Sequence, residues 1–227
     1  MLDNPIWNAL NTEHKDVAVG GELARRYPAD IGPLSGLVEQ SPAAYEQLRA
    51  LTGSGGMVAL FLESPSEGRP GWTMVRGGLM SQMIWSAASL PKAPPVGAPA
   101  ALRPLTGEDV PAMVELAELT EPGPFRTRTH QLGEFFGIFE RERLMAMAGQ
   151  RMRVPGFIEV SAVCTHPDAR GRGYARTLML EVMADIVGRG DRPFLHSFAD
   201  NHPAIRVYEA RGFTRRRSLH LAALKAE

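Results

Sequence analysis

Two apolar ridges at helical spacing stand out in the second half of the chain: Tyr174, Leu178, Val182, Ile186, and beside them Ala175, Met179, Met183, Val187, with Arg176, Asp185 and Arg189 facing away. The spacing predicts a helix of about four turns from Gly173 onward. Before it, Phe135 to Glu140, Arg143 to Arg153 and Phe157 to Thr165 read as consecutive strands, joined by Glu140-Arg141-Glu142 and Val154-Pro155-Gly156. That is an antiparallel meander. In its middle strand Leu144, Ala146 and Ala148 are expected on one face and Met145 and Met147 on the other, the two-sided apolar pattern of a central strand. After the helix, Phe194 to Phe198 reads as a strand, Pro203 to Ala210 as a short helix closed by Gly212, and Phe213 to Leu224 as a last strand.

The first part of the chain is patterned less strongly. Ser41 before Pro42 is a helix start, with Ala44, Leu48 and Leu51 on one face and Gly53 to Gly56 as the stop. Met57 to Leu62, Trp72 to Val75 and Met80 to Trp85 read as three strands. Thr106 caps a further helix with Asp109 three residues on and Met113, Leu116 and Leu119 on its inner face. Between the two parts, residues 90–101 are rich in Pro and Ala and should run extended, contributing little to a core. The expected organisation is a small α/β unit over 1–89, a linker over 90–101 and a main domain over 102–227. No solenoid-type repeat is visible.

Composition narrows the classes. The 227 residues carry 25 Lys+Arg against 25 Asp+Glu, with 44% hydrophobic and 22% charged positions. These are the values of a chain that buries a sizeable core. A net charge of zero gives no general attraction to nucleic acid or to an anionic membrane, so any anion must be caught locally. Cys164 is the only cysteine, which excludes an intrachain disulfide and a Cys-rich metal site and fits a reducing, cytoplasmic compartment. Neither a basic leader with an apolar stretch nor a run of about 18 apolar residues occurs, so no signal peptide and no membrane span are expected.

Candidate chemistry concentrates at Val163-Cys164-Thr165-His166-Pro167-Asp168-Ala169-Arg170-Gly171-Arg172-Gly173-Tyr174-Ala175, where an apolar strand passes through a glycine-bearing turn into a long helix. A helix N-terminus points free N–H groups and about half a positive charge at an anion. Gly171 and Gly173 let a ligand approach the backbone, and Arg170 and Arg172 suit phosphate, so a pyrophosphate is the natural guest. The same glycines also serve a merely tight turn. The dinucleotide and mononucleotide fingerprints need a third glycine or a Gly-Lys-Ser/Thr, and neither is present.

A second constellation, Asn201-His202-Pro203-Ala204-Ile205-Arg206-Val207-Tyr208-Glu209-Ala210-Arg211-Gly212-Phe213, lies about 30 residues downstream. Together the two segments resemble the GNAT superfamily of acyl-CoA-dependent N-acyltransferases over roughly residues 102 to 224. The Arg/Gln-x-x-Gly-x-Gly/Ala motif is matched by Arg170, Gly173 and Ala175. The Asn, small residue, Tyr, Gly-Phe motif is matched by Asn201, Ala204, Tyr208, Gly212 and Phe213.

The resemblance implies an α/β fold with a mixed, mostly antiparallel sheet and helices on both faces, beside the smaller N-terminal α/β unit, which is readable as a degenerate acetyltransferase-like half. It implies acetyl-CoA as cosubstrate, no metal, and an amine-bearing acceptor that attacks the thioester directly. Backbone N–H groups of Arg170, Gly171, Arg172, Gly173, Tyr174 and Ala175 would cradle the pyrophosphate, while Val163, Cys164 and Thr165 would hold the pantetheine arm by their main chain. One of those N–H groups would polarise the acyl carbonyl. Asn201 is placed at the cofactor, and Tyr208 at the position that protonates the departing thiolate.

Glu159, eleven residues before Arg170, stands where some histone-type members carry the general base; a charged residue on a solvated strand face is the other reading. Cys164 reads as a small buried side chain, His166 as a strand-end residue, and His196 and His202 lack the neighbours of a zinc site. Arg215 to Arg217 read as strand residues with solvated guanidinium groups. Arg126 and Arg128 suggest an acceptor carrying a carboxylate or phosphate, or belong to an ordinary loop. A noncatalytic acyl-CoA-binding module is the alternative function. Nucleic acid and membrane are not expected partners, and a homo-oligomer is left open.

Overall fold

The computed structural model describes residues 1–66 and 68–227. In chain order its elements are α1 (Pro5–Asn11), β1 (Val19–Gly20), β2 (Ala24–Arg26), β3 (Ser35–Leu37), α2 (Pro42–Thr52), β4 (Met57–Leu62) and β5 (Trp72–Trp85). There follow β6 (Ala100–Pro104), α3 (Val110–Thr120), β7 (Phe135–Glu140), β8 (Arg143–Val154), β9 (Phe157–Thr165), α4 (Tyr174–Gly188), β10 (Arg192–Phe198), α5 (His202–Glu209) and β11 (Phe213–Ala226). Eight strands form one sheet in the order β4-β11-β5-β10-β9-β8-β7-β6. Among the described residues of this sheet, β9 and β10 are the one pair of neighbouring strands that runs parallel; the other neighbours pair antiparallel. This is the mixed, mostly antiparallel sheet expected from the sequence.

Helices cover both faces. On one, Leu178, Met179, Val182, Met183 and Ile186 of α4 are buried against Ala146, Ala148, Ile158, Val160 and Leu195. Each such side chain contributes about 1.5–3 kcal/mol of transfer free energy. On the other face Ile6 and Leu10 of α1 meet Met152, Val154 and Phe194, and Met113 and Leu116 of α3 meet Phe135, Leu144 and Met147.

The first part of the chain enters this same sheet. β5 lies between β10 and β11, and β4 forms the edge beyond β11. The expected pair of strands at Trp72–Val75 and Met80–Trp85 is one 14-residue strand, because β11 pairs with it from Trp85 down to Trp72. Gly77 and Gly78 carry it through the middle. Gly78 also makes room for the Phe198 ring: a Cβ there would lie 2.9 Å from a ring carbon. The small sheet β1-β2-β3 was not legible, being built of two- and three-residue strands, and is tied to β4 by the Leu34↔Ala59 bridge.

Three further expectations change. Residues 90–101 do pack, with Leu90, Ala93 and Val96 half-buried on the α4 core, and β6 already begins at Ala100. A 3-10 turn at Gly107–Asp109, closed by the Thr106/Asp109 capping box, delays α3 to Val110. Its buried face is therefore Met113, Leu116 and Ala117, and Leu119 is 50% exposed. In β8, Ile138 pairs with Ala146 but Phe139 with Leu144, so Met145 is an extra residue. That bulge places Leu144 with Met147 rather than with Ala146 and Ala148.

Removing residues 1–89 would strip β5 from between β10 and β11. The expected outcome is that a chain beginning at Leu90 shows no cooperative melting transition by circular dichroism, where the full chain shows one.

Candidate functional site

The strands β9 and β10 pair over three positions only, Phe157↔Arg192, Ile158↔Pro193 and Glu159↔Phe194. Beyond Phe194, β10 continues along β5 as far as Phe198, while β9 continues along β8 to Thr165. The two strands therefore part. Ser161, Ala162 and Val163 on one wall of the gap are half-buried. On the other, the His196 side chain is fully buried while the residue as a whole is not, so solvent reaches its main chain.

A bulge sits in the β9 wall. Gly149 pairs with Ser161 but Met147 with Cys164, leaving one extra residue, and Ala162 takes φ +52°. A left-handed alanine is rare, and a bulge re-aims the backbone groups beside it. No glycine marks the place, so the sequence held no signal for it.

β9 ends at Thr165, and His166 accepts the Asp168 N–H at 3.2 Å to cap the short 3-10 turn Pro167–Ala169. Arg170 is extended, and Gly171 and Gly173 take φ of +80° and +82°. Gly173 is the N-cap of α4 and, lacking a side chain, leaves the first N–H groups of a 15-residue helix without a side-chain partner. Arg170 makes no side-chain hydrogen bond or ion pair among the described residues. Arg172, by contrast, binds the Glu140 carboxylate at 2.8 and 3.0 Å and the Asp168 carbonyl at 2.9 Å. The Tyr174 hydroxyl donates to the same carboxylate, and together the two hold Glu140 below the usual carboxylate range. Arg172 and Tyr174 are thus braces of the turn. Sequence reasoning missed Glu140, which read only as a turn residue 32 positions away.

Val163, Tyr174 and Tyr208 are each half-buried and each packs against the core that α4 forms with the sheet. Tyr208 lies edge-on to Phe213 with ring centres 6.3 Å apart; burial raises its phenol above the ordinary value, with Arg211 opposing. Asn201 accepts the Ala204 N–H at 3.3 Å and so caps α5. Cys164 is buried, and burial pushes its thiol up to about 11 despite the Thr120 hydroxyl. Beyond β10, Arg76, Gly77, Gly78 and Leu79 of β5 face Phe198 to His202 across a cleft of about 700 Å³. Arg128 is engaged by Asp30 at 3.1 Å, whereas Arg126 is exposed.

Glu159 is placed apart from these groups. Ile158 and Val160 point into the α4 core, so Glu159 points to the opposite face, where it is 1% exposed. Arg151 donates to its two oxygens at 2.8 Å each, and His196 Nδ1 lies 2.7 Å from Oε1. Burial works against the charged form, but the Arg151 charge, its hydrogen bonds and those of His196 prevail and hold the carboxyl at about 2.

In solved structures, the chain is 37% identical to a putative acetyltransferase of the GNAT family from Novosphingobium aromaticivorans, with a TM-score of 0.88 over 100% of this chain and 98% of that one. The FR47-like protein family matches residues 135–221. The chain belongs to the GNAT family of acetyltransferases. Its fold is also that of a GCN5-related N-acetyltransferase from Kribbella flavida (TM-score 0.63, 16% identity, covering 98% and 95% of the two chains). A tandem GNAT protein of clavulanic acid biosynthesis shares it too (0.59, 15%, covering 90% and 78%). The comparison with curated proteins found no match. This kinship supports an acyltransferase. No helix among the described residues is long and apolar enough to cross a membrane.

Two buried groups contribute to the response to acid. Burial and then the Arg153 charge lower His14 from 6.5 to about 4, and Glu159 is lowered from 4.5 to about 2. For a lowered group the stabilisation is complete above the unfolded pKa and drains as pH falls to the folded one. The melting temperature should thus fall first between about pH 6.5 and 4, then further towards 2. Calorimetry showing a flat melting temperature from pH 7 to 3 would contradict this.

Proposed function

We propose that the protein is an N-acetyltransferase that uses acetyl-CoA and transfers its acetyl group to an amine by direct attack. The observation that carries the proposal is the parting of β9 from β10 beside an uncapped α4 N-terminus. A gap in a sheet exposes main-chain N–H and C=O groups that a pantetheine arm can bond as a strand would. The Arg170 N–H is taken by the Pro167 carbonyl at 3.2 Å, closing the 3-10 turn. The N–H groups of Gly171 to Ala175 then meet the pyrophosphate, with the Arg170 side chain free to add a charge-assisted bond. Arg172 stays on Glu140 and keeps the turn in shape.

The thioester supplies an activated acetyl group. A main-chain N–H at the Ala162 bulge or at Val163 polarises its carbonyl as the oxygen gains charge. The neutral amine's lone pair forms the new C–N bond and the C–S bond breaks. Tyr208 passes its phenolic proton to the departing sulfur, and the proton released from the nitrogen leaves to solvent water, from which the phenol is restored. A phenol near pKa 10 or above is fully protonated at neutral pH and can donate to a thiolate whose thiol sits nearer 8.5. Asn201 acts by capping α5, which carries Tyr208. The cleft between β5 and residues 198–202 is the approach for the acceptor.

At a hundred times its dissociation constant a ligand adds about 2.7 kcal/mol, which for a chain of this size is a rise in melting temperature of roughly 5–10 °C. That rise is expected with acetyl-CoA and with CoA, and its loss in Gly173→Glu. Tyr208→Phe should retain the rise and lower kcat about a hundredfold. Binding without CoA release from any of a panel of amines would favour a noncatalytic acyl-CoA-binding module.

A further inference from the structure

Glu159 is the last residue of β9 to pair with β10, and His196 is two residues beyond its partner Phe194 on the same face of β10. Where the main-chain pairing ends, a side-chain link takes over: His196 Nδ1 to Glu159 Oε1, 2.7 Å. The same carboxylate is gripped from β8 by Arg151. One buried carboxylate therefore spans three adjacent strands, β8, β9 and β10, at the point where the gap opens.

The His196 ring is fixed from its other side as well. Its Nε2 faces Gln82 Nε2 of β5 at 3.1 Å, so Nε2 accepts and the Nδ1–H is the one left to donate to Glu159. Gln82 in turn donates to the Leu2 carbonyl at 2.8 Å and accepts from Arg216 at 2.9 Å. Phe61 packs on the ring with centres 4.6 Å apart. Nothing in this arrangement aims the Glu159 carboxylate at solvent or at the gap.

We propose that Arg151, Glu159 and His196 form a pin that fixes where β9 and β10 part, making Glu159 and His196 positioning residues for acyl-CoA rather than Glu159 a proton acceptor. The proposal rests on the acetyl-CoA reading above. The pin holds the two walls in one register, so the main-chain groups of residues 160–163 and 195–198 stay at the spacing a pantetheine arm spans. Without it, the strands are free to pair further or to splay, and the arm must reorder them on binding.

His196→Phe keeps the ring packing against Phe61 and leaves the Arg151–Glu159 pair whole, but cuts the link between β9 and β10. His196→Asn retains a donor near the Nδ1 position. Loss of one charge-assisted bond corresponds to about a tenfold change or more in a dissociation constant. The expected result is that His196→Phe raises the acetyl-CoA dissociation constant and KM by that factor, with kcat at saturating acetyl-CoA and its pH profile nearly unchanged, while His196→Asn recovers the wild-type values. Glu159→Gln should likewise act on KM for acetyl-CoA rather than on kcat.

A Glu159→Gln variant whose kcat falls about a hundredfold with unchanged acetyl-CoA affinity, as loss of a general base requires, would overturn the pin. So would a His196→Phe variant that binds like wild type. Hydrogen exchange of the unliganded protein provides an arm independent of CoA. Changed exchange at amides 160–163 and 195–198 in Glu159→Gln or His196→Phe, restored in His196→Asn, supports the pin even where His196→Phe is too unstable for kinetics; unchanged exchange refutes it. If wild type binds no acetyl-CoA while exchange still changes, the functional reading fails and the pin stands as a purely structural device.

Discussion

The three-residue limit on pairing between β9 and β10 is the constraint on which the rest of the structure depends. A parallel pair that ran its full length would leave a continuous sheet and no place for a ligand to hydrogen-bond the main chain. Instead, each strand commits to its other neighbour: β9 stays with β8 through the Ala162 bulge, and β10 stays with β5. Both walls of the gap are thereby held by strands that pair on their far sides. A rigid scaffold of this kind presents backbone groups without the entropy cost of ordering them at each binding event.

That arrangement explains why the first part of the chain matters to the site. β5 occupies the place between β10 and β11 and pairs with both, so the β10 wall is anchored by residues more than a hundred positions earlier in the chain. The N-terminal residues reach further still, with the Leu2 carbonyl on Gln82 and Asp3 on Arg216 and Arg217. α1 and residues 27–34 then cover the face that holds Glu159. Burial on that face is what turns an acidic strand residue into a partner of Arg151 and His196.

What was legible in the sequence was local. The α4 ridges, the meander, the cap at Ser41, and the glycines before α4 each declare themselves within a few residues, since periodicity and turn chemistry act over short range. Gly173 could be given an address in that way, whereas Asn201 and Tyr208 were singled out only by the resemblance of their segment to the GNAT motif. The rest depends on partners distant in sequence. Glu140 reaches Arg172 only once the β7–β8 hairpin lies beside the turn. The Ala162 and Met145 bulges follow from register between strands, to which alanine and methionine give no clue. Glu159 offered two readings on a strand because its surroundings come from β8, β10 and the N-terminal segment. Leu119 went to the surface because a 3-10 turn, indistinguishable in sequence from a first helical turn, rotated α3.

The most direct test of the account is hydrogen exchange, followed by mass spectrometry, of the full chain with and without acetyl-CoA. Slowed exchange is expected at amides 160–165 along the β9 wall and 170–176 at the α4 N-terminus, with β4 and β11 unchanged. Acetyl-CoA binding that leaves both segments unaltered, or that protects only the small β1-β2-β3 sheet, would contradict it.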